Sequence, residues 1–330
     1  MTDYDITIVG GGPSGIFATF FAGLRNAKVQ LIESLPELGG QVMALYPEKT
    51  ILDVPGFTGI KGRNLVEHLD QQLAEMDVDV KLGETVQNVA RIDTDFKIVT
   101  NKGITTSKTV IVATGVGAFT PRKLAVDNAT DFEGTHLFYS VKDLEHFRDR
   151  VVLVAGGGDA AIDEALLLET VASKVYLLHR REQFRALENT VDRLYASNIE
   201  LITPYLIRAL QLTPADQVQV TAKKMRTEAE MTDLVVDDIV VNYGFSAENS
   251  VLDEWTVKPT GQRGQVEAQL AGVTDVAGMF AIGDVSTFAD KQALIATGFG
   301  EAPLAVNAAL KYIDPNNRGG MHSTSLKLKH

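Results

Sequence analysis

The apolar run Ile6-Thr7-Ile8-Val9 is too short for a helix and is bounded at once by glycines, so it predicts a buried strand over Asp5–Val9. Gly10 to Gly15 predict a turn, Ile16 to Leu24 an apolar helix and Lys28 to Ile32 a second strand, which together make one βαβ unit. The pattern recurs: Val151–Ala155 predicts a strand, Gly156–Gly158 a turn, Ala160–Thr170 a helix and Lys174–Leu178 a strand. Two further apolar strands, Thr109–Ala113 and Asp238–Asn242, run into Thr114-Gly115 and Tyr243-Gly244-Phe245, and glycine-ended strands of this kind predict where the chain crosses between domains. The expectation is an α/β protein whose first domain is discontinuous, residues 1–115 and 245–330, with a second domain, residues 116–244, inserted. Two domains simply in series is the alternative. A turn-rich stretch from Asp314 to Gly320 leads into a short tail.

Length agrees with two domains, since 330 residues at about 150 per domain exceed one ordinary core. Apolar residues make up 45% and charged residues 22%, an ordinary globular composition. No apolar run reaches the roughly 18 residues that span a bilayer. The acidic start Met1-Thr2-Asp3-Tyr4-Asp5 is unlike a secretory or transit peptide, so a cytoplasmic location is expected. A net charge of −12 opposes nonspecific nucleic-acid binding. The absence of cysteine has the largest consequence: it removes disulfides, iron–sulfur ligation and every thiol relay, and no metal site is expected.

The chemistry lies in the two turns. Gly10-x-Gly12-x-x-Gly15, with Ser14 inside it, follows a strand and opens a helix, and Glu33 ends the next strand 18 residues beyond Gly15. This is the Rossmann dinucleotide fingerprint: Gly10 for the tight turn, Gly12 for approach of a pyrophosphate, Gly15 for helix–strand packing, Glu33 for ribose hydroxyls. The second fingerprint, Gly156-x-Gly158-x-x-Ala161, has the same context, but its second strand runs into His179-Arg180-Arg181, with Arg185 nearby, where the first ended in an acid. Guanidinium groups there suit the 2′-phosphate of NADPH, which a carboxylate would repel. Gly283-Asp284 follows the buried run Met279–Ile282 and puts an acid at a strand's carboxyl end, and Ala296–Ala302 leads a helix beyond it.

With both fingerprints, Leu38-Gly39-Gly40-Gln41, Ala113-Thr114-Gly115 and Gly283-Asp284 in this order, the chain resembles the flavoproteins with two dinucleotide-binding domains, thioredoxin reductase among them. Where thioredoxin reductases carry Cys-x-x-Cys this chain has Phe138-Tyr139-Ser140-Val141-Lys142-Asp143. It is similar instead to the thioredoxin-reductase-like ferredoxin:NADP+ reductases, through Tyr46-Pro47-Glu48-Lys49, Asp53, His179-Arg180-Arg181-x-x-Phe184-Arg185, Ala296-Thr297-Gly298-Phe299-Gly300-Glu301 and the tail His322-Ser323. The resemblance implies two Rossmann-like, three-layer domains in a homodimer, FAD on the first and NADPH on the second. It implies Glu33 on the ribose, Gln41 near the phosphate–ribityl side, Val86 and Phe119 along the cofactor and Asp284 on the ribityl chain. Tyr46 would stack on one ring face and His322, from the tail of the other subunit, on the other, with Ser323 or Thr324 near the polar edge.

The activity implied is hydride delivery from nicotinamide C4 to flavin N5, then single-electron release to ferredoxin or flavodoxin. Such carriers are acidic, so a local basic patch is expected, with Arg148, Arg150, Arg318, Lys327 and Lys329 as candidates. The alternatives are an NADPH-dependent reductase of quinones, free flavin, ferric chelates or oxygen, a reductase of a partner's disulfide, and a binding protein that senses nucleotide without turnover.

Overall fold

The computed structural model describes residues 2–319 apart from 228, 229, 249 and 263, with side chains at all of these but 118–120, 245–248 and 250. The chain divides into two compact units, one of residues 1–44, 50–119 and 247–330, the other of residues 45–49 and 120–246.

The first unit is built on a seven-stranded sheet. Its path runs from Asp79–Lys81 through Val29–Ile32 and Tyr4–Val9 to Ile104–Val112, Asp95–Thr100 and Val86–Ile92. The strands from Asp79 to Val112 on this path are parallel, and the last two pairings are antiparallel. One edge of Ile104–Val112 is shared end to end. Its first residues pair with Asp95–Thr100, and Val110–Val112 pair in parallel with Met279–Ala281. That short strand brings the C-terminal part of the chain, and with it Gly283 and Asp284, to the sheet holding the first glycine turn. Helices Pro13–Leu24 and Ile295–Ile313 pack in one core cluster with Ile6, Ile8, Leu31, Ile111 and Phe280, all buried. Each such side chain contributes about 1.5–3 kcal/mol through burial.

The second unit holds a five-stranded parallel sheet in the order Leu137–Phe138, Asp238–Asn242, Val151–Gly156, Lys174–Leu178, Glu200–Ile202. Val151–Gly156 is buried from its second residue onward, which is why it reads as a continuous apolar run rather than an alternating one. An antiparallel three-stranded sheet, Tyr205–Leu212, Val218–Lys224 and Met231–Val236, completes this unit. The two crossing segments, Ala118–Pro121 and Phe245–Glu248, pair as a two-stranded sheet.

The units change at 119/120 and 246/247, within four residues of the crossings expected from sequence, and one further segment changes sides. Leu45–Lys49 groups with the second unit, where Lys49 Nζ lies 2.8 Å from Asp163 Oδ2 on helix Asp159–Glu169. Apolar patterning carries no trace of such a pairing, because it depends on two charges 114 positions apart.

Candidate functional site

The first glycine turn is shaped by backbone. Gly10 has φ +108°, and a Cβ there would lie 2.4 Å from the Ala113 carbonyl oxygen. A Cβ on Gly15 would lie 1.9 Å from the Gly10 carbonyl oxygen, so helix and strand approach as only glycine permits. Gly12 is different: nothing comes within 4 Å of its would-be Cβ. It caps helix Pro13–Leu24 with extended backbone and no side-chain cap, and Pro13 follows it. The positive end of that helix therefore faces open space, the arrangement that binds phosphate oxygens.

Two elements close around this turn. Leu38–Gln41 lies against it, with Gly39 N donating to Gly11 O at 2.8 Å and Gly40 abutting Gly12. Glu33 is 6% exposed; its Oε2 accepts from Gly11 N at 2.6 Å and its Oε1 from Leu35 N at 2.8 Å. Oε1 also accepts from Ser34 Oγ at 3.1 Å, so it is Oε2 that keeps a lone pair with which the carboxylate that shapes the loop can accept from a ribose. Ser14, on the first turn of the helix, has its Oγ where a Cβ on Gly283 or Gly298 would fall, at 2.8 and 2.1 Å. The Gly283–Asp284 turn is thereby seated against the first fingerprint. Asp284 is half-buried, and burial pushes its carboxyl up while Lys291 draws it back. Val86 is 3% exposed and packs among Val9, Ile32 and Val89, so its side chain is spent in the core and only its backbone can meet a ligand.

The second turn repeats the logic with different side chains. A Cβ on Gly156 would lie 2.5 Å from Asn242 O and 2.6 Å from the Ala161 Cβ, so the alanine in the third fingerprint position is as large as the site admits. Gly158 is nearly open, its would-be Cβ meeting only Arg185 O at 3.7 Å. The loop after Lys174–Leu178 is fastened onto this turn: Arg185 N donates to Gly157 O at 2.7 Å and Leu187 N to Asp159 Oδ1 at 2.9 Å. The His179 ring packs on Gly157 and stacks on Phe184, with centroids 5.5 Å apart, and burial together with Arg180 and Arg181 holds its pKa down. His179 thus serves as a wall of the turn. Arg180, Arg181 and Arg185 are exposed, and no ion pair to any of them occurs among the described residues.

Tyr46 lies in Leu45–Lys49, in the second unit, near Glu164, which with burial raises the phenol's pKa. Glu164 was not singled out from the sequence, yet it is the most perturbed acid here: burial pushes its pKa up to about 7 although Asn242 Nδ2 and Val141 N both donate to it. A carboxyl raised in the folded state binds more protons there than when unfolded, so it lowers stability as pH rises from about 4.5 to about 7. The loss is about 3 kcal/mol when complete. Glu164→Gln is expected to flatten this slope, which thermal midpoints of both proteins from pH 5 to pH 8 would check. Parallel slopes would contradict it.

The Phe119 side chain, His322, Ser323 and Thr324 lie outside the described residues. Among the described residues no group of three His, Asp or Glu suits a metal ion, and no helix is long and apolar enough to cross a membrane. Lys291 and Glu301 are the residues nearest the Gly283–Asp284 turn that sequence reasoning left without a role; their pairing at 2.6 Å is invisible before the fold is known.

A family model of the pyridine nucleotide-disulphide oxidoreductases matches residues 4–310. The chain is 53% identical over 325 residues to a ferredoxin–NADP reductase of Lactiplantibacillus plantarum, and 49% identical over 323 residues to a ferredoxin–NADP reductase of Levilactobacillus brevis; each match covers 98% of both chains. Among solved structures, a thioredoxin reductase of Lactococcus lactis superposes with a TM-score of 0.78 at 26% identity, covering 94% of this chain and 99% of its own.

Proposed function

Because the chain belongs to the pyridine nucleotide-disulphide oxidoreductase family, we propose that it is an NADPH-dependent flavoenzyme that passes electrons to a one-electron carrier, ferredoxin or flavodoxin. One observation carries the reading: two dinucleotide cradles in a chain without cysteine, the first ending in buried Glu33 and the second in exposed Arg180 and Arg181.

The first cradle fits FAD. Gly12 is open, the helix behind it begins without a side-chain cap, and Glu33 Oε2 retains acceptor capacity. Gly10, Gly12, Ser14 and Gly15 would hold the pyrophosphate, Glu33 the adenosine ribose, Gln41 and Asp284 the ribityl side, and the Val86 backbone and Phe119 would lie along the cofactor. Bound there, FAD would supply the step from two-electron hydride chemistry to single electrons. Gly156, Gly158 and Ala161 would seat the NADPH pyrophosphate, His179 would back that turn, and Arg180, Arg181 and Arg185 would take the 2′-phosphate. Tyr46 and, from a second copy of the chain, His322 would cover the two ring faces, with Ser323 or Thr324 at the polar edge. The chain's work is to orient the two rings and exclude water, which is where an enzyme of this kind gains rate.

The partner surface is narrower than composition suggests. Arg148 Nη2 pairs with Glu145 at 2.6 Å and Arg150 Nε with buried Asp238 at 2.6 Å, so neither is a free cation for an acidic carrier. Steady-state NADPH oxidation with ferredoxin, flavodoxin, a quinone, free flavin, a ferric chelate and oxygen in turn tests the reading. The expected result is kcat/KM at least tenfold higher for a protein carrier than for any small acceptor. The reverse order would support the alternative reductase of quinones, free flavin, ferric chelates or oxygen.

A further inference from the structure

The geometry points to Lys291 and Glu301 as a charge-compensated positioning pair that holds the Gly283–Asp284 turn and sets how readily a flavin bound beside it is reduced. The inference rests on the reading of that turn as part of the flavin site.

Both side chains are nearly withdrawn from solvent, Lys291 7% and Glu301 12% exposed, and Nζ lies 2.6 Å from Oε1. The ammonium donates to the Gly283 carbonyl oxygen at 2.7 Å and to Ser286 Oγ, and it meets Glu301 Oε1 as an ion pair rather than as an aligned hydrogen bond. Glu301 uses its other oxygen to accept from the Gly283 N–H at 2.7 Å. Gly283 is thus gripped at both ends, its N–H by the acid and its C=O by the base. It sits at φ +69°, with Ser14 of the first fingerprint on its remaining side.

A buried ion pair is a weak device for stability alone, because desolvation offsets most of its attraction and apolar replacements often do as well. Its charge is what distinguishes it here. Burial raises the Asp284 carboxyl and Lys291 partly offsets that rise, so the charge of Lys291 is felt at the neighbouring carboxyl of the turn. Without Lys291, Glu301 would be an uncompensated buried anion beside a group that must accept electrons; without Glu301, Lys291 would be an uncompensated cation. The two losses push the reduction equilibrium in opposite directions.

The test uses FAD-loaded Lys291→Met, Glu301→Gln, Lys291→Arg and the double Lys291→Met/Glu301→Gln variant. Reduced and oxidised flavin are measured spectroscopically under anaerobic conditions at one fixed NADPH to NADP+ ratio and about pH 8. The reduced fraction relative to oxidised is expected to fall about tenfold in Lys291→Met and to rise about tenfold in Glu301→Gln. The double variant, which restores the charge balance without the grip, should return to within about threefold of the starting protein, as should Lys291→Arg. Shifts in one direction for both single variants, largest in the double, would mean that the pair only supports structure and would overturn the inference, as would no shift beyond about threefold in either. If Lys291→Met takes up no FAD, Glu301→Gln beside Lys291→Arg decides: a rise in the first with none in the second supports the pair, and no rise overturns it. An unsubstituted protein that binds no FAD would instead remove the reading on which the inference stands.

Discussion

Gly12→Asp is expected to leave the protein folded and to strip it of flavin. A Cβ here meets no atom within 4 Å beyond its chain neighbours, and the backbone at this position is extended, with φ −72°, so any residue can adopt it. Aspartate is also a favoured helix N-cap and a negative charge at the positive end of the Pro13–Leu24 helix, effects worth a few tenths to about 1 kcal/mol in favour of the fold. The same carboxylate stands where the pyrophosphate would lie. Two anions about 5 Å apart at an effective dielectric near 20 repel by about 3 kcal/mol, before the lost space is counted. FAD affinity should therefore fall by at least about a hundredfold while the melting temperature of the flavin-free protein holds or rises slightly. Flavin absorbance after gel filtration reads the first, and thermal unfolding the second. Gly15→Ala is the contrast: its Cβ would sit 1.9 Å from Gly10 O, so it should damage the fold itself. A yellow Gly12→Asp protein with undiminished flavin would show that the cofactor is not held on this turn.

Arg180→Ala/Arg181→Ala should convert a strong preference for NADPH into near indifference between NADPH and NADH. Both guanidiniums are exposed beside a glycine turn that the Arg185 N–H to Gly157 bond holds in place, and neither has an ion partner among the described residues. Charge-assisted bonds to a phosphate contribute about 1.5–3 kcal/mol each, and the lower figure suits exposed groups. Two of them correspond to a rise of about a hundredfold in KM for NADPH. The 2′-phosphate is remote from the reacting carbon, so the loss is one of uniform binding, and kcat should stay within about twofold. KM for NADH should hardly move. Equal weakening of both nucleotides would place the 2′-phosphate elsewhere.

The parts of the site that were legible in the sequence are those where local backbone geometry dictates residue type. Gly10, Gly12 and Gly15 are spaced as a strand–turn–helix junction requires, and the structure shows a different reason for each: a positive φ, an open approach and a close packing. The contrast between Glu33 and His179-Arg180-Arg181 was legible because each follows the second strand of its own unit. What was not legible depends on residues distant in sequence. Glu164 is raised by burial beneath partners at 141 and 242, and Lys291 meets Glu301 only because a loop folds back on the Ile295–Ile313 helix. Family likeness puts Val86 along the cofactor; that its side chain is closed into the core, which leaves the backbone for that role, could not be read from sequence. The ring of His179, at the head of the basic run, is committed to Gly157 and Phe184, a contact that depends on the fold of the loop and that the motif alone does not show.

The most direct measurement is an anaerobic titration of the FAD-loaded protein with NADPH, followed through the visible flavin band. Two cradles serving one electron path predict that about one equivalent of NADPH bleaches the band and that a one-electron carrier added afterwards restores it. A flavin band that stays unchanged in excess NADPH would contradict electron transfer between the two sites and leave a protein that binds both nucleotides without turning either over.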